Sequence, residues 1–92
     1  MIKSFEHKGI ELFFQTGNTK GIQPNHAEKL TLILAILHNA NIVKDINFPG
    51  SDLHKLQGSK KNLWSIKVNG NWRITFTFEK ENVYILNYLD YH

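Results

Sequence analysis

The sequence predicts an α+β domain, with two N-terminal helices packed on one face of an antiparallel sheet. Three observations predict it. Apolar residues recur at helical spacing through the first part of the chain, up to about Asn41. Three later stretches instead alternate with period two: Trp64-Ile66-Val68, Trp72-Ile74-Phe76-Phe78, and Val83-Ile85 with Leu89. Short turn signals separate these stretches, as a meander requires.

The first helix is expected to start at Ser4 as N-cap and to stop at Thr16-Gly17, with Phe5, Leu12 and Phe13 on its apolar side. Gly9 lies inside it and costs roughly 1 kcal/mol against alanine. Gly21 to Gln23 reads as a loop, and Pro24 suits a first helical position. The second helix runs from there to Asn39. Ala27, Leu30, Ile33, Leu34, Leu37 and Ala40 fall on one arc, with Leu32 outside it on a more exposed side. Phe48-Pro49-Gly50 is a turn, Leu53 to Leu56 a short strand, and Gly58 to Asn62 a basic loop.

Strand register follows from the need for one apolar face. A two-residue loop at Asn69-Gly70 is the ordinary hairpin signal, but it sets Ile66 against Arg73. A three-residue loop, Asn69-Gly70-Asn71, pairs Val68 with Trp72, Ile66 with Ile74 and Trp64 with Phe76, and puts Asn71 in the left-handed region. This register is expected, or a bulge with the same effect. After a turn at Glu79 to Asn82, Phe78 pairs with Val83, which sets Phe76 beside Ile85 and Trp72 beside Leu89. The opposite face then carries Lys67 across from Arg73, followed by Tyr88, Asp90 and His92. Strict alternation sends Tyr91 to the core side.

Composition narrows the class. A chain of 92 residues is one domain, spanning 1–92, and its 41% hydrophobic content suits a compact core rather than disorder. The formal charge of +3 permits an anionic partner without demanding one. There is no cysteine, which excludes disulfides and cysteine-based zinc sites. No secretory signal and no apolar run of membrane-spanning length appears, so a soluble cytoplasmic domain without membrane contact is expected.

Arg73 is the only arginine, and its planar fork suits phosphate better than the point charge of lysine. Lys55, Lys60 and Lys61 make the densest positive cluster, and with Lys67 they form the footprint expected for an RNA backbone or ribosome contact. For isolated surface lysines, simple solvation is the competing explanation. His7, His26 and His38 lie on predicted helices, where packing roles are ordinary. His54 differs: with Leu53 inward it joins the polar face. His54, Asp90 and His92 are ligand types suited to zinc or iron, but Lys67 and Arg73 would oppose a dication. Neither metal nor cofactor is expected.

The second half resembles the HigB-type toxins of the RelE superfamily, ribosome-dependent messenger-RNA interferases of bacterial toxin–antitoxin pairs. The residues carrying this are Pro49-Gly50, Leu53-His54, Leu56 with Gly58, Trp64-Ser65, Val68 to Ile74 with Phe76, and Asp90-Tyr91-His92. The N-terminal half is similar in length and helix order, with an early Lys3-Ser4-Phe5. The resemblance implies a RelE-like, microbial-RNase-like fold. It implies cleavage of messenger RNA in the A site of the 70S ribosome and inhibition of translation, with neutralisation by a HigA-like helix-turn-helix antitoxin. His54, Asp90, Tyr91 and His92 match the family's catalytic positions, and Arg73 matches a basic position in its motif. Gln57 stands where many relatives carry a basic residue, and Lys55 where many carry proline.

The residues themselves could run this chemistry. RNA supplies its 2′-OH as nucleophile, histidine can accept or donate the proton, and Arg73 and Lys67 can stabilise charge on the phosphate. Asp90 could act as base or orient a histidine, and Tyr91 could stack on a base. The competing classes are a non-catalytic ribosome- or RNA-binding module and a regulatory partner that only binds its antitoxin. Leu32 is a candidate antitoxin contact.

Overall fold

Two structural choices near the N-terminus set the rest of the fold, as seen in a computed structural model that describes residues 1–58 and 61–91. Residues 2–6 do not enter the first helix. They run beside the last strand, with parallel bridges from Ile2 to Val83 and from Phe5 to Leu86. Helix α1 therefore spans Lys8–Thr16, and His7 rather than Ser4 caps it, its Nδ1 accepting from the Ile10 N–H at 3.1 Å. The Ser4 hydroxyl instead accepts from the Ile85 N–H. Gly17 closes the helix in the left-handed conformation, as expected. Ile10 and Phe13 are buried, whereas Leu12, expected on the apolar side, is exposed; Phe5 packs on the core from the edge segment.

Gly9 has a reason to be glycine. A Cβ there would lie 2.4 Å from the Gly21 carbonyl oxygen, so α1 and the following loop meet backbone to backbone.

A 3-10 turn at Pro24–His26 leads into α2, Ala27–Asn39. Leu30, Ile33, Leu34, Leu37 and Ala40 are buried as the arc predicts, and Leu32 is 63% exposed. A second 3-10 turn, Val43–Ile46, was not expected. The Asp45 carboxylate holds it by accepting from the N–H groups of Asn41 and Ile42.

Four antiparallel strands follow in sheet order β1-β2-β3-β4: His54–Lys55, Trp64–Asn69, Trp72–Glu79 and Asn82–Asp90. The first is shorter than expected. Between β2 and β3, Trp64 opposes Phe76, Ile66 opposes Ile74 and Lys67 opposes Arg73, as the apolar pattern requires. The means is the bulge rather than the longer loop. Asn69 opposes Trp72, Val68 is the extra residue, and Gly70, not Asn71, takes positive φ.

A second bulge overturns part of the expected register between β3 and β4. Thr77–Tyr84 and Phe78–Val83 pair in register, but then Thr75 opposes Asn87, Ile74 opposes Tyr88, Arg73 opposes Leu89 and Trp72 opposes Asp90. Ile85 and Leu86 together face Phe76. The cause is legible: unbroken alternation would set Asn87 against Ile74 on the apolar face. The bulge removes Asn87 from that position and buries Leu86 and Tyr88 instead.

Candidate active site

Beyond the bulge, the two faces of β4 are exchanged relative to the sequence expectation. Tyr88 does not stand beside Arg73. It is 3% exposed on the helix side, stacked on Trp72 with ring centroids 4.6 Å apart. Its hydroxyl accepts from the Gln23 N–H and is hydrogen-bonded to His26 Nδ1 at 2.7 Å. Burial raises the Tyr88 pKa above its ordinary 10.0, with the Asp90 charge adding to the rise. Burial also lowers the pKa of His26, helped by Lys29, and that of His7, whose ring edge meets Tyr88. His38 accepts from the Ile2 N–H. All three helix histidines thus have structural partners.

Asp90 also changes sides. Paired with Trp72, it leaves the face that carries Lys67 and Arg73. Leu89 takes the place opposite Arg73, and alternation puts the exposed Tyr91 on that side, its N–H donating to the Asn71 carbonyl. His92 and Lys60 lie outside the described residues.

On the Arg73 face, four residues converge. His54 pairs with Ser65 across β1 and β2. Arg73 donates from Nε to the buried Ser65 hydroxyl, from Nη1 to Asp52 Oδ2 at 3.1 Å and from Nη2 to the Asp52 carbonyl at 2.9 Å. His54 Nδ1 lies 2.9 Å from the same carbonyl and 3.5 Å from Arg73 Nη2. A carbonyl oxygen only accepts, so His54 Nδ1 carries a hydrogen and Nε2 is left for proton traffic. The turn that presents Asp52 is stitched to β2 by the Lys67 N–H donating to the Ser51 carbonyl. Asp52 itself sits at φ +48, a conformation aspartate tolerates better than most residues.

Lys67 is exposed directly across from Arg73. Lys55 pairs with Trp64 on the other side of the sheet, its ammonium 5.8 Å from the Trp64 ring centroid. Lys61 is exposed in the loop before β2. Asp52 and Ser65 escaped the sequence reading. Ser65 was accessible to it, since the expected register already set Ser65 on the face of Arg73. Nothing in the periodicity marks Asp52.

The chain has counterparts among known proteins. The sequence model of the HigB-like toxins, RelE-like toxins of type II toxin–antitoxin systems, matches residues 3–92. The chain belongs to this family. It is also 42% identical to the "Endoribonuclease HigB" of Proteus vulgaris over 92 residues, covering the whole of both chains. The α+β arrangement of two helices and a four-stranded antiparallel sheet is that of a RelE-like toxin. Type II membership implies an antitoxin partner for a HigB-like toxin such as this one. No helix among the described residues is long and apolar enough to cross a membrane.

Proposed function

We propose that this HigB-like toxin is an endoribonuclease that cuts messenger RNA on the ribosome and so stops translation. The observation that carries the reading is the meeting of His54, Asp52 and Arg73 on an exposed sheet face, in a chain whose relative is named for RNA cleavage. A histidine with a fixed Nδ1 and a guanidinium beside it are the parts that phosphodiester transesterification needs.

The 2′-OH attacks the adjacent phosphorus as His54 Nε2 takes its proton. The bond from phosphorus to the 5′-oxygen breaks, leaving a cyclic phosphate, and the departing oxygen receives a proton. His92, the other histidine matched by the resemblance, is the proposed donor. Arg73 uses three of its N–H groups within the described residues, leaving one on each terminal nitrogen for a phosphate oxygen. Lys67, with Lys60 and Lys61, supplies further positive charge along the RNA. Tyr91 stacks on a base from the Arg73 side, while Asp90, paired with Trp72 on the other side of the strand, takes no part in the proton transfer. RNA brings its own nucleophile, so the reaction needs no metal ion. The antitoxin is proposed to be HigA-like, with Leu32 on the open side of α2 as one contact.

Primer extension on messenger RNA from cells expressing the chain tests this. Defined cuts are expected, absent with His54→Ala and His92→Gln. Cuts that persist in both variants would remove the histidines from the mechanism. Growth arrest without any cuts would favour a binding module.

A further inference from the structure

We propose that Ser4 is a positioning residue for cleavage, acting through the bulge at Ile85; this deepens the reading above and rests on it. Ile85 has φ +47, a region that a β-branched residue rarely enters. Something must hold it there, and Ser4 does so twice. Its hydroxyl accepts from the Ile85 N–H at 2.8 Å, and its carbonyl accepts from the Leu86 N–H at 3.1 Å. The two bulged residues thus turn both donors away from β3 and towards one serine. The flanks are fastened as well, by Lys3 N–H to the Val83 carbonyl at 2.7 Å and Glu6 N–H to the Leu86 carbonyl at 2.8 Å.

What the bulge controls lies further along the strand. With it, Arg73 faces Leu89 and the side of Tyr91, while Tyr88 and Asp90 fall on the other side. Without it, every residue from Asn87 onward changes face. Tyr88 would then crowd Arg73, Asn87 would enter the core, and Tyr91 would leave the RNA side. A hydroxyl on the far edge of the sheet therefore selects which residues complete the site. The backbone bond from the Ser4 carbonyl survives any side-chain change, so the hydroxyl is the separable element.

The test compares Ser4→Ala, Ser4→Thr, Ile85→Gly and the double variant Ser4→Ala/Ile85→Gly in the full chain. The readings are kcat and KM for messenger RNA cleavage on ribosomes and the exchange rate of the residue 85 amide. Ser4→Ala is expected to lower kcat on the order of tenfold with KM little changed, and to speed amide exchange. Ser4→Thr keeps the hydroxyl and should keep kcat. Glycine accepts positive φ without a side-chain penalty, so Ile85→Gly should be active and should restore kcat in the double variant. Native kcat in Ser4→Ala alongside fast exchange would overturn the proposal. If Ser4→Ala does not fold, the double variant decides: folded and active supports it, folded and inactive overturns it. His54→Ala runs in parallel. If that variant cleaves normally, the reading of the site fails; if it is dead while Ser4→Ala is native-like, only the role of Ser4 fails.

Discussion

Arg73 and Asp52 form an ion pair of 3.1 Å in which the guanidinium is nearly covered, at 12% exposure, and the carboxylate is 64% exposed. The acid holds a position that a substrate phosphate could take. Asp52→Asn keeps the left-handed turn and removes the charge. It should lower KM for cleavage several-fold, by the logic of a competing anion withdrawn, and leave the melting temperature little changed, because the asparagine amide oxygen can still accept from Nη1 and the residue 52 carbonyl still accepts from Nη2. A raised KM would show that the carboxylate holds Arg73 ready rather than competing for it.

Arg73→Lys tests the fork itself. Lysine keeps the charge but loses the Nε–H that the fully buried Ser65 hydroxyl accepts. The unmatched hydroxyl should cost about 1–3 kcal/mol in denaturant titration. Cleavage should fall on the order of 100-fold in kcat. Full activity in the lysine variant would reduce Arg73 to a generic positive charge.

His54→Ala separates chemistry from binding. His54 is exposed, so stability should change by no more than about 0.5 kcal/mol. Cleavage in a translating extract should drop roughly 100-fold or more, while co-sedimentation with ribosomes stays as it was. Joint loss of both would mean that His54 serves binding or folding.

The buried polar cluster predicts the pH profile of stability. His26 and His7 have pKa values held below the ordinary 6.5, chiefly by burial. The unfolded chain therefore binds more protons in mild acid, so their contribution is complete above 6.5 and is lost as pH falls through the folded values. Tyr88 behaves oppositely. Its raised pKa gives a contribution complete below 10.0 and lost as pH rises through the folded value. Melting temperature against pH should show both limbs, and His26→Gln should flatten the acid one. An acid limb unchanged in that variant would place the titration elsewhere.

Gly9→Ala sets two effects of opposite sign against each other. Helix propensity alone favours alanine by roughly 1 kcal/mol. The new methyl, however, would meet the Gly21 carbonyl at 2.4 Å, backbone that cannot swing aside. The clash should win, lowering stability by about 1–3 kcal/mol in thermal or urea unfolding. A stabilised variant would mean that α1 can shift away from the loop.

The layers of the fold were legible because apolar periodicity is strong in α2 and in β2 and β3, where every expected core residue is buried or packed on the core. The misreadings share one origin. Ser4 resembled a helix cap because a free hydroxyl near a helix start usually is one; pairing at a distance of 81 residues leaves no local trace. Tyr88 and Asp90 were assigned to the wrong faces because alternation assumes a strand without bulges. Asn87 facing Ile74 was the available warning. His54 beside Arg73 could be anticipated from register, whereas Asp52 reaches them from a turn, where pattern carries no direction.

The edge pairing of residues 2–6 has a consequence for how the toxin comes into being. Met1 donates from its ammonium to the Glu81 carbonyl, and Ile2 bridges to Val83, so residues 80 positions apart must meet before this edge is complete. Contacts this distant in sequence raise the contact order and slow folding. Until β4 docks, the helices lack the strand that brings Val83, Leu86 and Tyr88 into the core. The face that carries Arg73 therefore takes its final form only when β4 has met both β3 and residues 2–6.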